Sequence, residues 1–459
     1  MTILRARIAV SALFLVIAAA CSGEKASFYD VAPAPRRLVM WLETNDLDVY
    51  TAARLQRAGV DEVVVRMGTI DLSGRAPVLR LDPVGDIEGS IPVGMALEVL
   101  GARPDIDRSV AEALWRGVEK ELGGAIPAEL ILDFPRLAQG LQVFVRDLSE
   151  VSGVAVVPLL SFDQLQTDSG SSIAEAARSC IVPAFGTDGA DLRGVGELDP
   201  LPLEKKLAPL VGTGVRVRLG ISLRPRTEPP LDVPGDDLNP LTESQTTTVT
   251  TKSTLDRSFN FEKEITWSGR RWQPGDKVAA RWMDACRLHA ALQEIHRLAV
   301  PDVAGWDYVS LPNEGLNLGL TRDGLFRYLQ GEGPRPEVRV KVERSGRSMR
   351  IRLSNPSPFA SAVSNFGNWL QVAIEEGWLV TEGRGSFDGV TLGTLRAGQW
   401  EDGDRGRVNA ARFDEIYLAP GEELVTGTLR LPSSRSRVSV NWRLSLFDGT
   451  EIIGELKEQ

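Results

Sequence analysis

The stretch Glu129–Phe162, ELILDFPRLAQGLQVFVRDLSEVSGVAVVPLLSF, decides the fold. Leu130-Ile131-Leu132 is apolar at consecutive positions, which buries both faces of a strand, and the acid Asp133 follows directly. Gly140 to Val151 then spaces its apolar residues as a helix does, and Val154 to Phe162 is a second doubly apolar run. Two strands buried on both faces and joined by a helix imply a parallel pair, because crossover helices cover the sheet.

The same unit recurs outward in both directions. Strands are predicted at Leu38–Thr44, Glu62–Met67, Ile91–Leu100, Ile181–Phe185, Val215–Leu223 and Tyr308–Pro312 besides the two above. Helical candidates include Val110–Leu122, Ile173–Ser179, Leu203–Val211, Ala280–Leu298 and Asp323–Gln330. Eight such strands between residues 38 and 330 match a (β/α)₈ TIM-like barrel of the α/β class. Gly68–Ser90 departs from the pattern, since Arg75–Asp82 is strand-like and interrupted by proline. Residues 224–276 form a long insertion after the seventh strand. Its first part is rich in Pro, Asp and Thr, and Phe259–Trp272 alternates and turns at Ser268-Gly269, as a hairpin does. An insertion there lies on the C-terminal face of a barrel, as a lid, a docking element or a decorative loop. Residues 331–337, with two prolines and two glycines through Pro336, read as a linker. Short strands at Val338–Val342, Ser348–Leu353, Trp369–Ala373, Glu415–Leu418, Leu424–Leu431, Val438–Leu446 and Glu451–Leu456 then suggest a small all-β, immunoglobulin-like sandwich over 338–459.

The amino terminus gives an address. Arg5 and Arg7, the apolar run Ile8–Ala19 and the small residues before Cys21 form an export signal over residues 1–20. The pattern resembles a lipoprotein box, which makes Cys21 a lipid-attachment residue and the protein's link to a membrane. Ala18 stands where Leu is commonest, so ordinary cleavage after Ala18-Ala19-Ala20 is the rival reading. Residues 21–37, with Pro33 and Pro35, suit a tether. Ser22 rather than Asp after the cysteine points to the outer membrane of a Gram-negative envelope, by resemblance to lipoprotein sorting rules. Of the other cysteines, Cys180 and Cys286 read most simply as two buried thiols.

Hydrophobic residues make up 43% and charged residues 25% of the 459, as in soluble globular proteins. The net charge of −10 argues against nucleic acid, whose binders need a basic patch. Glycine-rich phosphate loops and dinucleotide fingerprints are absent, so neither a nucleotide nor a cofactor is expected. His289 and His296 are the only histidines, and their spacing of seven is too wide for a two-histidine metal clamp at i and i+4. Carboxylates remain. Acids at the C-terminal ends of barrel strands converge on the axis, which singles out Glu43, Glu98, Asp133, Asp163 and Glu314. Asp133 is the sharpest candidate, with Glu43 or Glu314 as its catalytic partner. Trp41 offers a stacking face for a sugar, and Arg136 and Arg224 are cationic neighbours. The bland alternative is that these acids cap helices or pair with arginines such as Arg66, Arg136 and Arg224.

Glu129–Leu165 and Trp306–Pro312 resemble a poorly characterised bacterial family of exported barrels, known only as a domain of unknown function and akin in appearance to glycoside-hydrolase barrels. The resemblance covers about residues 38 to 330. It implies a lipid-anchored envelope protein that hydrolyses or binds a glycan, or else a non-catalytic scaffold built on a degenerate barrel. The family's fourth strand often ends in two acids separated by one residue; Asp133 matches the first, and Pro135 occupies the second position.

Overall fold

The computed structural model describes residues 37–458 except 43–45, 83–88, 104, 186–206, 224–225, 229–246, 254–255, 268–269, 298–302, 310, 313–319, 363, 365–366, 397, 404–407, 416 and 448. In chain order the first half contains β1 (Leu38–Leu42), α1 (Val49–Arg57), β2 (Glu62–Leu72), β3 (Val78–Leu81), β4 (Val93–Ala102), α2 (Arg108–Glu121), β5 (Glu129–Asp133), α3 (Leu141–Ser152) and β6 (Ala155–Leu159). The short α4 (Phe162–Leu165), α5 (Asp168–Ala177), β7 (Ser179–Phe185) and β8 (Arg216–Ser222) follow. The insertion contributes β9 (Arg226–Glu228), β10 (Thr247–Ser253), β11 (Asp256–Phe261), β12 (Ile265–Trp267), β13 (Arg270–Trp272) and β14 (Lys277–Arg281). Then come α6 (Ala285–Arg297), β15 (Val303–Val309) and α7 (Arg322–Leu329).

Strands β1, β2, β4, β5, β6, β7, β8 and β15 pair in parallel in that order, and β1 pairs with both β2 and β15. The sheet is therefore a closed eight-stranded barrel. Alternate residues divide between two apolar layers. Val39, Trp41, Val64, Ala96, Ile131, Val157 and Ile181 pack together inside it. Leu38, Met40, Val63, Val65, Leu130 and Leu132 belong to the larger cluster between strands and helices. Both faces of the strands are thus apolar, as the doubly apolar runs in the sequence require. Side chains cap the helices: Asp48 accepts from the Thr51 amide and Asp107 from the Ser109 amide. Ser161 and Gln164 form a reciprocal capping box.

Two local readings of the sequence are corrected. The last barrel strand spans Val303–Val309 rather than starting at Tyr308, for reasons given below. The helix expected from Ala280 begins at Ala285, because Lys277–Arg281 pairs with β11 and β9 as an antiparallel strand. Between β2 and β4 the strand-like stretch within Arg75–Asp82 is a strand, β3, which extends β2 as an antiparallel hairpin as expected.

After α7 the chain forms β16 (Arg339–Ser345), β17 (Ser348–Ser354), β18 (Trp369–Ile374), β19 (Val380–Thr381), β20 (Gly389–Arg396), β21 (Gln399–Asp402), β22 (Ala410–Asp414), β23 (Glu423–Val425), β24 (Leu429–Arg430), β25 (Val438–Ser445) and β26 (Glu451–Glu458). They build a five-stranded and a six-stranded antiparallel sheet around a shared core that includes Ile351, Leu370, Val372, Phe413, Leu429 and Val440. This is a β-sandwich. Among the described residues of Glu415–Leu418 the expected strand is absent; Ala410–Asp414 takes the ladder position between β20 and β18. The insertion packs against the sandwich, with Phe259, Phe261, Trp272, Val278 and Trp282 sharing a cluster with Ala360 and Tyr417.

Candidate functional site

Inward-pointing residues of the barrel fall into levels. At the C-terminal mouth the inward parity brings Glu98 and Asp133 side by side, in register on the adjacent parallel strands β4 and β5. Paired strands stand about 4.8 Å apart, so two acids at one level and on one face are close neighbours. Asp133 accepts an N–H from Arg66 at 2.8 Å. Arg66 shares the inward parity of Val64 on β2 and is half exposed, while Asp133 and Glu98 are partly buried. The Arg66 guanidinium on the Asp133 carboxylate oxygen is a charge-assisted pair at the mouth. A register shift between Arg66 and Gly68 breaks the ladder beside it, a bulge of the kind that re-aims side chains near sites.

Trp41 also points inward, but it is buried, and its indole N–H donates to Asp307 Oδ1 at 3.0 Å. Its ring belongs to the inner layer with Ile131 and Val157. Asp163 lies in the first turn of α4 and is exposed, as is Arg136. Gln164 of the same turn donates to the Phe134 carbonyl at 2.6 Å, which fastens the loop after β6 to the end of β5. Glu43, Arg224, Glu314 and Cys21 lie outside the described residues.

A second charged group, which the sequence reading did not single out, fills the N-terminal floor of the barrel. Arg218 makes a two-armed bond to Glu129, with Nη1–Oε2 at 2.9 Å and Nη2–Oε1 at 2.6 Å. Its Nε lies 2.9 Å from Asp307 Oδ2, an ion pair without hydrogen-bond alignment. Arg37 bridges Glu129, at 3.0 Å, and Glu62. Three acids thus face two arginines. Burial, together with the neighbouring Glu129, pushes the Glu62 carboxyl up to about 7, although Arg37 opposes the shift. Burial raises Asp307 to about 6 against the pull of Arg218. The signal in the sequence is parity: Glu62, Glu129 and Arg218 lie two residues before Val64, Ile131 and Gly220 and therefore point inward. Charges at the floor of a barrel usually serve stability, and those at the mouth serve chemistry.

His289 is buried, with Nδ1 3.0 Å from the Tyr328 hydroxyl, and both residues belong to helices outside the barrel. Cys180 and Cys286 are free and buried. Among the described residues no group of three or more His, Cys, Asp or Glu side chains is arranged to hold a metal ion.

No family model and no curated protein matches the sequence. Solved structures similar to the chain include the spore cortex-lytic enzyme SleL of Bacillus cereus, at 9% identity over 64% of this chain and 74% of that one, with a TM-score of 0.36. The β-glucuronidase 2 of Bacteroides uniformis is 9% identical over 93% of this chain and 46% of that one, with a TM-score of 0.31. The assignment of the barrel rests on the strand order above and not on these likenesses.

Proposed function

We propose that the protein is a glycoside-hydrolase-like envelope protein that binds a glycan at the C-terminal mouth of its barrel and hydrolyses it with two carboxylates. The observation that carries this reading is the in-register pair Glu98 and Asp133, with Arg66 on Asp133. Sugar hydrolysis needs one carboxyl group as proton donor and one as anion. Arg66 suits Asp133 to the anionic role, as nucleophile or charge stabiliser, and leaves Glu98 as the acid and base. The export signal and Cys21 support a location in the cell envelope as a lipid-anchored protein, in the outer membrane by the Ser22 rule. No helix among the described residues is long and apolar enough to cross a membrane.

One observation favours a binding role without turnover. Pro135, at the second acid position of the resembled family, is exposed and can donate no proton. The two readings separate in one experiment on the full chain, using a panel of bacterial cell-wall and plant polysaccharides with reducing-end release as the signal. Turnover by the wild type that falls about 10²–10⁴-fold in Asp133→Asn and in Glu98→Gln, with unfolding midpoints unchanged, supports the hydrolase. Binding by the wild type with no release from any polysaccharide supports the scaffold and refutes the hydrolase.

A further inference from the structure

The outward face of the six-stranded sheet carries side chains unlike those of a plain solvated surface. Its registers line up two cross-strand rows. One runs Gly389, Asp414, Trp369, Arg443 and Ile453 across β20, β22, β18, β25 and β26. The next runs Thr391, Arg412, Gln371, Asn441 and Glu455 across the same strands. Residues that alternate with these rows, such as Leu370, Val372, Phe413 and Val440, point into the sandwich core, so both rows face outward. Ile453, at the end of the first row, is 70% exposed.

Three planar groups stack on this face. The Arg412 guanidinium carbon lies 4.9 Å from the centre of the Trp369 ring and 4.5 Å from that of Trp400. The Trp400 ring lies flat because the strand beneath it offers Gly393, where a Cβ would come within 2.5 Å of Cζ2. Trp400 Nε1 donates to Asp402 at 2.8 Å, and Arg412 Nη2 donates to Gln371 at 3.0 Å, which fix the edges of the stack. Around it lie polar side chains that are exposed or partly exposed, Asp402, Asp414 and Asn441. Arg443 is paired with Glu451 on the neighbouring strand β26, and Nε of Arg412 and of Arg443 are buried beneath the face. The Asp414 carboxylate accepts only a long contact from Thr391, at 3.5 Å.

We propose that this face is a carbohydrate-binding platform, separate from the barrel mouth, which takes an extended glycan chain across Trp369, Arg412 and Trp400. A flat aromatic and guanidinium surface matches the C–H faces of pyranose rings. Interleaved acceptors (Asp402, Asp414) and the amide of Asn441 match hydroxyl groups, each of which both gives and takes a hydrogen bond. An apolar peptide would leave these groups unpaired, at a cost in binding energy. A polyanion such as nucleic acid would meet Asp402, Asp414 and Glu455 on the same face.

The test uses the full chain and three soluble hexasaccharides, of glucose, N-acetylglucosamine and galacturonic acid, with binding measured by calorimetry. At least one binds the wild type, and Trp400→Ala and Trp369→Ala each weaken that binding at least tenfold, while Asp133→Asn, altered only in the barrel, leaves the platform's share intact. Trp400→Phe keeps a ring and retains most of the affinity, which separates loss of stacking from misfolding. Failure of all three sugars to bind overturns the proposal, as does binding that is insensitive to both alanine changes. Binding lost in Asp133→Asn but retained in both tryptophan variants also overturns it, while leaving the reading of the barrel mouth standing.

Discussion

At the scale of single residues, parity along a strand sorts the charges into two populations. Asp133 was legible because it ends an apolar strand, where an acid is conspicuous. Glu62, Glu129 and Arg218 were not singled out, because a charge near the start of a strand looks like an ordinary surface residue until the barrel closes over it. Their burial has a consequence for pH. The folded carboxyl of Glu62 titrates near 7, above the 4.5 of an unperturbed Glu, so the folded state binds the extra proton. Its stabilisation is complete below pH 4.5 and is lost as pH rises to about 7. Asp307, near 6, and Glu415, raised to about 8 by burial and by Asp388, act in the same direction. The thermal unfolding midpoint is expected to fall between pH 5 and pH 8, each group contributing a slope of at most about 1.4 kcal/mol per pH unit. Glu62→Gln, a neutral mimic of the protonated acid, flattens the profile. A wild-type midpoint that rises across this range contradicts the buried, proton-holding floor.

At the scale of elements, all eight barrel strands were legible from hydrophobic patterning, and their ends were less so. The last strand was read as starting at Tyr308 because Gly305 and Asp307 interrupt its apolar run. Both residues have tertiary reasons to be there. A Cβ at position 305 would lie 2.4 Å from the Arg37 carbonyl oxygen, and Asp307 holds Trp41 and faces Arg218. In the sandwich, β20, β21 and β22 escaped notice because their outward residues include Gly389, Gly393, Asp402 and Asp414, types that strands disfavour. The hairpin was expected from the turn signal at Ser268-Gly269, which lies outside the described residues, and β12 pairs antiparallel with β13. What it packs against was not visible. Trp272 is buried, stacks on Phe261 at 4.9 Å, and belongs to the cluster that includes Tyr417 of the sandwich. Trp272→Ala should therefore cost about 3–5 kcal/mol and open residues 224–281 to limited proteolysis. Unchanged cleavage and an unchanged unfolding midpoint would show that this anchor does not hold the insertion.

At the scale of the whole molecule, a closed barrel and a β-sandwich are joined by a packed insertion, and the two ends of the barrel carry different charged groups. The floor is an ion cluster of Arg37, Glu62, Glu129, Arg218 and Asp307. The mouth presents Glu98, Asp133 and Arg66. Fold class was readable from the sequence because repeated βαβ units admit few closures. The partnership of Glu98 with Asp133 was not, because it depends on strand register, which only the closed sheet sets. That partnership is the centre of the proposed function, and it makes a stereochemical prediction. Acids on adjacent strands belong with the close separation of about 5 Å that forms a covalent glycosyl intermediate, not the 6.5–9.5 Å that admits a water. The most direct measurement is the anomeric configuration of the first product released from a glycan substrate, followed by proton NMR before mutarotation. Retained configuration, abolished by Asp133→Asn, is the predicted result; inverted configuration, or no product from any glycan, contradicts it.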